Sequence, residues 1–266
     1  MFLTDEERLL TDAFLNKGYV ICPAADKAAL DWIRDQFFML AQEALGIKSS
    51  MPADHFLDTI HERVTPRELN DFRLKMIREV NSDNKFRRAY YQIAKPYLDV
   101  LVGNELAMQL RVNLSIQLPG DDSSLLPLHA DTWSGDSPFE IVVWLPLVRC
   151  YGTKAMYLLP PKASAELSNR FSSNYGASSE SLYDEISDRV EWLEIAYGDV
   201  LVFNQALPHG NRVNSERETR WSMNCRFKGL FTPYGDKKLG EFFEPVTLRA
   251  ASRIGMSYRH PGKGGS

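Results

Sequence analysis

The sequence predicts a mostly β protein with flanking helices, a double-stranded jelly roll (double-stranded β-helix) buttressed by N-terminal helices. Two observations carry this. Up to residue 105 the apolar residues recur mainly at helical spacing. Beyond Met108 they alternate with polar residues or form short apolar runs separated by long excursions. A third observation makes it one domain: there is no internal repeat and no linker long enough to divide the chain. The expected parts are a helical buttress over 1–105, a jelly-roll core over 106–232 and a C-terminal extension over 233–266.

Thr4-Asp5-Glu6-Glu7 reads as a capping box that opens a helix stopping at Gly18, followed by a short strand at Tyr19-Val20-Ile21. Asp26 to Leu45 places Leu30, Ile33, Phe37, Leu40, Ala41 and Leu45 on one helical face, with Gly46 as the stop. Thr65-Pro66-Arg67-Glu68 opens a third helix, proline being tolerated at the first position. Lys85 to Val102 reads as a fourth, bent or broken at Pro96. Leu110, Val112, Leu114, Ile116 and Leu118 then alternate with polar residues, the mark of one strand with a polar face. Further strands are expected at Phe139–Leu147, Lys154–Leu159, Glu191–Ile195, Val200–Phe203 and Thr219–Leu230. A short helix near Ser164–Arg170 and a Ser-rich stretch at Ser172–Ser181 interrupt them.

Of the 266 residues 44% are hydrophobic and 25% charged, the balance of a soluble globular protein with a sizeable core. The formal net charge of -4 argues against nucleic acid, whose phosphates need a dense basic surface. No apolar run approaches a membrane span, and the start MFLTDEERLL is acidic where a secretion signal is basic. Three sparse cysteines, Cys22, Cys150 and Cys225, make no disulfide framework and no zinc spacing, so a reducing cytoplasm is the expected location. The tail from Gly262 to Ser266 is set aside as flexible. Oligomeric state is left open.

Chemistry concentrates on three residues. His129 and Asp131 lie two apart, and in an extended segment such residues share a face. His209 follows the Val200–Phe203 strand and a short turn, and a jelly roll can return that strand end to the first pair. Two histidines and a carboxylate on one face, with opposite positions open, form the facial triad of non-haem Fe(II) oxygenases. The plain alternative is that the pair sits in a surface turn. His55, His61 and His260 are poorer candidates, in the helical part and in a Gly-rich tail. Arg220 leads the polar set Arg220, Ser222, Asn224 and Arg226 on a late strand. It can grip a carboxylate in a bidentate fork, with Arg226 as runner-up and a surface salt bridge as the plain reading. Asn113, on the polar side of the strand before the pair, is either a second contact or a satisfied strand residue, and Trp144 is either cavity wall or core.

The order of these motifs resembles the phytanoyl-CoA hydroxylase-like branch of the Fe(II)/2-oxoglutarate dioxygenases. The shared run is His129-Ala130-Asp131, Trp144, Gly152 to Leu159-Pro160, then His209-Gly210, Asn214 and Arg220, with the strand after Gly18 also similar. Within the branch, His129-Ala130-Asp131-Thr132-Trp133 and Tyr151-Gly152-Thr153-Lys154 look most like oxygenases of carbohydrate biosynthesis clusters. The resemblance covers Leu110 to Leu230 and is weak over Ser50 to Tyr90. It departs at Pro161-Lys162-Ala163, where the family often has Gly-Ser-His after the Leu-Pro. The resemblance implies Fe(II) on His129, Asp131 and His209, with the 2-oxoglutarate carboxylate on Arg220 and Asn113 beside it. O2 is then consumed, succinate and CO2 are released, and a small-molecule C–H is oxidised, by default to an alcohol. Asp131 fills the position that a small residue takes in the related iron halogenases. The implied substrate is a sugar or sugar-containing metabolite, with Trp133, Tyr151 and Tyr157 as stacking faces and Asp136, Arg149 and Lys154 as polar partners near the mouth. An amino acid or acyl thioester is the alternative substrate. The alternative chemistry is a cupin-like metal-dependent isomerase or hydrolase that does not use 2-oxoglutarate.

Overall fold

The computed structural model describes residues 2–170 and 178–260. Helix α1 (Asp5–Lys17) starts at the Thr4/Glu7 capping box and ends on Gly18, whose φ of 78° suits a residue without Cβ. Strand β1 (Tyr19–Pro23) leads to α2 (Lys27–Leu45), capped by Asp26 and stopped by Gly46. Of its expected apolar face, Leu30, Ile33, Phe37 and Ala41 are fully buried, while Leu40 and Leu45 are half-buried at its edge. Next come α3 (Ala53–Asp58), a 3-10 turn at Ile60–Glu62, α4 (Pro66–Ser82) and α5 (Asn84–Leu101). The helix runs through Pro96 instead of breaking there. Phe86, Tyr90, Ile93 and Leu98 are buried along it, and Tyr90 Oη donates to Val143 O at 2.8 Å, so tertiary packing outweighs one lost backbone hydrogen bond.

The remaining elements are β2 (Leu106–Gln109), β3 (Asn113–Gln117), β4 (Glu140–Pro146), β5 (Met156–Leu158), α6 (Pro161–Asn169), α7 (Ser179–Ile186), β6 (Glu191–Leu193), β7 (Asp199–Asn204), β8 (His209–Gly210), β9 (Arg220–Gly229), β10 (Phe243–Pro245) and α8 (Ala250–Ser257). They build a large antiparallel sheet in the order β1-β7-β4-β9-β2-β10, with β3 also paired to β9, and a small sheet in the order β6-β5-β8. The two make an open jelly roll, not a closed barrel. β4 explains the layers. Ile141, Val143 and Leu145 face the helices, and Val142 and Trp144 face the small sheet, so the strand buries both sides and reads as a continuous apolar run. β9 differs: Trp221, Met223, Cys225 and Phe227 join the helical core, and its other face is polar.

The single strand expected over Leu110–Leu118 is two. Met108 pairs with Phe227 and Asn113 with Asn224, so four residues (109–112) stand against two (225 and 226), a bulge in the ladder. Asn81 of α4 fills the gap: its side chain accepts from Val112 N at 2.8 Å and donates to Val112 O at 3.0 Å. The alternation survives, with Val112, Leu114 and Ile116 in the helical core. The expected Lys154–Leu159 strand shortens to β5, because Gly152–Lys154 forms a 3-10 turn. β1 and β10, the edges of the large sheet, come from outside 106–232. The Ser-rich stretch lies outside the described residues up to 177, and Ser178 caps α7. The Gly262–Ser266 tail also lies outside them. No helix among the described residues is long and apolar enough to cross a membrane.

Candidate metal centre

Two strand rules bring the predicted triad together. Ala130 is extended (φ -121°, ψ 136°), so His129 and Asp131 share a face. His129 and His209 are directly opposed across an antiparallel bridge, exchanging N–H···O bonds of 3.0 and 2.8 Å, which puts both imidazoles on that face. Their ring centroids are 4.3 Å apart. Asp131 N donates to Gln205 O at 3.0 Å, which ties it to the turn that precedes His209. Gly210 lets these strands close up: a Cβ there would meet Tyr157 Oη at 2.6 Å and Leu126 O at 2.7 Å. One ligand atom from each of His129, Asp131 and His209 fits within 4.8 Å of the others, and among the described residues this is the one such group of His, Cys, Asp or Glu. His55, His61 and His260 lie outside it; His61 Nδ1 sits 2.9 Å from Thr219 Oγ1.

The electrostatics suit a cation. His129 Nδ1 lies 2.8 Å from Pro127 O, and His209 Nδ1 lies 2.8 Å from Leu207 O. A carbonyl only accepts, so each Nδ1 donates and Nε2 is the ring nitrogen left to face a metal. Burial first, then the neighbouring His129, holds the His209 imidazole neutral, down to about 4. Burial pushes the Asp131 carboxyl up. The hydrogen bond with His129 and the charges of Arg226, His209 and His129 outweigh it and hold the group well below the usual carboxylate range. Its Oδ1 is 3.4 Å from His129 Nε2, and its Oδ2 is 2.8 Å from Arg226 Nη2.

The triad opens into a cavity of about 620 Å³ whose lining includes Asn113, Ser115, Trp144, Arg220, Asn224 and Arg226. Arg220 is 3% exposed, donates to Ser115 Oγ at 2.9 Å and Ala155 O at 3.3 Å, and forms no ion pair among the described residues. Among the described residues its Nε has no hydrogen-bond partner, nor has Oγ of the buried Ser222 two residues on. Burial lowers its pKa to about 10, so the charge persists at neutral pH. Arg226, the runner-up for a carboxylate grip, is instead occupied by Asp131. Asn113 reaches the cavity and donates to Asn224 Oδ1 at 2.9 Å. Trp144 is both core and cavity wall.

The six residues expected at the mouth do not line this cavity. Lys154 is buried between Asp58 (2.6 Å) and Glu218 (2.9 Å), and Tyr151 Oη donates to Glu218 at 3.2 Å. Arg149 lies over the Tyr151 ring, and Tyr157 packs between Tyr183 and Trp192. Asp136 pairs with Lys237 at 2.7 Å, and Trp133 is 41% exposed away from the lining. Sequence proximity to the motifs misplaced them: Trp133 and Lys154 lie in 3-10 turns, and on β5 Tyr157 takes the face opposite to Met156, which lines the cavity. The outer wall is α4 instead, through Pro66, Leu69, Asn70, Arg73 and Ile77, joined by the 123–126 loop. That wall was readable as one helix face with polar residues among apolar ones, but nothing in the sequence tied it to the triad.

No protein-family model and no curated protein matches the chain. Solved structures do. A non-heme monooxygenase, ThoJ in complex with nickel, is 15% identical, with 91% of this chain and 85% of that chain covered at a TM-score of 0.58. HygX from Streptomyces hygroscopicus with nickel and 2-oxoglutarate bound is 14% identical, with 89% and 90% covered at 0.51. HygX with nickel, 2-oxoglutarate and hygromycin B bound is 14% identical, with 94% of each chain covered at 0.50. At these identities the likeness establishes the fold.

Proposed function

We propose that the chain is a non-haem Fe(II)/2-oxoglutarate-dependent oxygenase acting on a small polar metabolite. The observation that carries this is the buried Arg220, without a counter-ion among the described residues, in the same cavity as the His129–Asp131–His209 cluster. A buried, unpaired guanidinium is costly and is kept where a ligand carboxylate completes it. A 2-oxo diacid meets both needs, chelating a metal at its oxo-acid end and offering a free carboxylate at the other. The orphaned Arg220 Nε and Ser222 Oγ are the open hydrogen-bonding groups that such a carboxylate fills. The donor set of two imidazoles and one carboxylate fits Fe(II) with open positions. With O2, the bound iron and 2-oxoglutarate supply the oxidising power, with release of succinate and CO2.

The protein's own contribution is placement. Pro127 O and Leu207 O fix both imidazoles by their Nδ1–H, and Arg220 sets the orientation of the cosubstrate, with Asn113 beside it. Val142, Trp144, Met156 and Phe203 keep water from that end of the cavity, and α4 presents Leu69, Asn70, Arg73 and Ile77 to the substrate. The phytanoyl-CoA hydroxylase-like placement rests on motif order in the sequence. The sugar-type substrate rests on the motif resemblance and on the hygromycin B held by the HygX structure; the cavity wall adds apolar and polar groups of its own. Hydroxylation is the default outcome. The three free thiols fit a reducing cytoplasm.

The test is substrate-stimulated succinate release with Fe(II), 2-oxoglutarate and O2, screened over nucleotide sugars, aminosugars, amino acids and acyl thioesters. Stimulation by an amino acid or thioester alone removes the sugar assignment and leaves the oxygenase. Metal-dependent isomerisation or hydrolysis with no 2-oxoglutarate requirement removes the oxygenase.

A further inference from the structure

We propose that Arg226 is a positioning residue that restricts Asp131 to one-oxygen ligation through Oδ1 and so keeps a coordination position open; this rests on the metal reading above. A carboxylate can bind a metal through one oxygen or both. Asp131 Oδ2 is already engaged by Arg226 Nη2 at 2.8 Å, while Oδ1 faces the His129 Nε2 at 3.4 Å. Arg226 is not free to leave. Its Nε donates to Gln205 Oε1 at 2.9 Å, and Gln205 Nε2 donates to Glu140 Oε2 at 2.9 Å and to Ser137 O at 3.2 Å. Gln205 also takes the Asp131 backbone N–H on its own carbonyl at 3.0 Å. Backbone and side chain of Asp131 are thus held from one residue pair, in a closed ring Asp131–Gln205–Arg226–Asp131. On the far side Asp136 stands 3.8 Å from Arg226 but is engaged by Lys237 at 2.7 Å, so Asp131 is the nearer carboxylate.

Coordination arithmetic gives the ring its consequence. A six-coordinate ion with three protein atoms keeps about three positions, the number that a chelating 2-oxo acid and O2 need together. A two-oxygen Asp131 would remove one of them. Binding would survive while cosubstrate chelation and O2 competed for what is left.

The test uses Mn(II) bound to the full chain, with water-proton relaxation counting the exchangeable waters on each bound ion, and crystal structures of the Ni(II)-loaded proteins. The wild type is expected to show Asp131 bound through Oδ1 alone. Arg226→Met is expected to show both oxygens on the metal, one fewer water per bound ion and at least about tenfold weaker 2-oxoglutarate binding to the Ni(II) protein. Arg226→Lys keeps the charge balance against Asp131 and Asp136, guarding against a folding failure. It cannot hold Gln205 and Asp131 together and is expected to lie between the two. A merely structural role would lower metal occupancy or melting temperature without changing waters per bound ion, and an unchanged count in both variants overturns the inference. A wild-type protein that takes up no Mn(II) or Ni(II) sinks the metal reading first, a result distinct from bound metal with unaltered ligation.

Discussion

His209 and Arg220 do opposite things to stability and function, and each is separable by substitution. His209 supplies one of the converging donors, and its neutral imidazole is already prepared by burial and by the Leu207 carbonyl. His209→Ala is therefore expected to lose stoichiometric Fe(II) and all 2-oxoglutarate turnover with the fold intact. Near-normal activity with one equivalent of iron would refute the triad. Arg220 has no counter-ion among the described residues. Arg220→Met is thus expected to raise the ligand-free stability, by about 1–2 kcal/mol in denaturant melts, since an apolar side chain of similar length replaces an uncompensated buried charge. The same substitution should weaken 2-oxoglutarate binding about 10- to 100-fold, the worth of a charge-assisted fork, with metal affinity little changed. A variant that is less stable and binds 2-oxoglutarate as before would mean that Arg220 is a packing residue. Both residues were legible because each belongs to a short pattern with a chemical need. The Arg226–Asp131 pair was not, since a long arginine reaches across strands and sequence spacing cannot say which carboxylate it finds.

At the level of elements, legibility followed how locally each one is determined. The Thr4/Glu7 and Thr65/Glu68 capping boxes and the Gly18 and Gly46 stops are chemistry within one turn, and those helix ends were read to within a residue or two. The β4 run was legible because both of its faces are buried. The β2–β3 bulge was not. Its peptide groups are satisfied by Asn81, a side chain from another element. Nor were β8, a two-residue strand made by pairing alone, or α7 and α8, whose short amphipathic runs fall at the end of the Ser-rich stretch and in the C-terminal extension, where no helix was expected. Lys154 was misplaced for a similar reason: it is not a mouth residue but a latch, fully buried, joining α3 through Asp58 to the segment before β9 through Glu218. Burial pushes the Asp58 carboxyl up despite that lysine, whereas Lys154 holds the more exposed Glu218 below its ordinary range. Lys154→Ala strips the counter-charge from the half-buried Asp58 carboxylate and is expected to cost about 3 kcal/mol by urea denaturation, the low end for a broken buried pair. A loss under ~1 kcal/mol, the value of an exposed pair, would show the latch to be dispensable.

Over the whole molecule, the helices are half of the sheet's own core. One face of the large sheet contributes Ile141, Val143, Leu145, Val200, Val202, Trp221, Met223 and Phe227, and what covers them is α2, α4 and α5 through residues such as Phe37, Phe72, Met76 and Tyr90. Trp221 shows the coupling: its ring packs against Phe37 and Phe72, and its Nε1 donates to Leu57 O at 2.9 Å. Uncovering a large apolar side chain costs about 1.5–3 kcal/mol, so exposing even four of these would match the roughly 5–15 kcal/mol by which a domain is stable. The cavity face depends on the same arrangement, because β9 carries Trp221 toward the helices and Arg220 toward the cavity. The chain should therefore behave as one cooperative unit, buttress and jelly roll together. Urea denaturation followed in parallel by helix signal in the far ultraviolet, near-ultraviolet aromatic signal and release of bound Ni(II) should give coincident transitions. A fragment beginning at residue 106 should remain unfolded or bind hydrophobic dye. It would lack β1 at the edge of the large sheet as well as the helical cover. A soluble, cooperatively melting fragment over 106–266, or a first transition that melts the helices while Ni(II) stays bound, would show instead that the jelly roll is a domain in its own right and that the buttress only shields it.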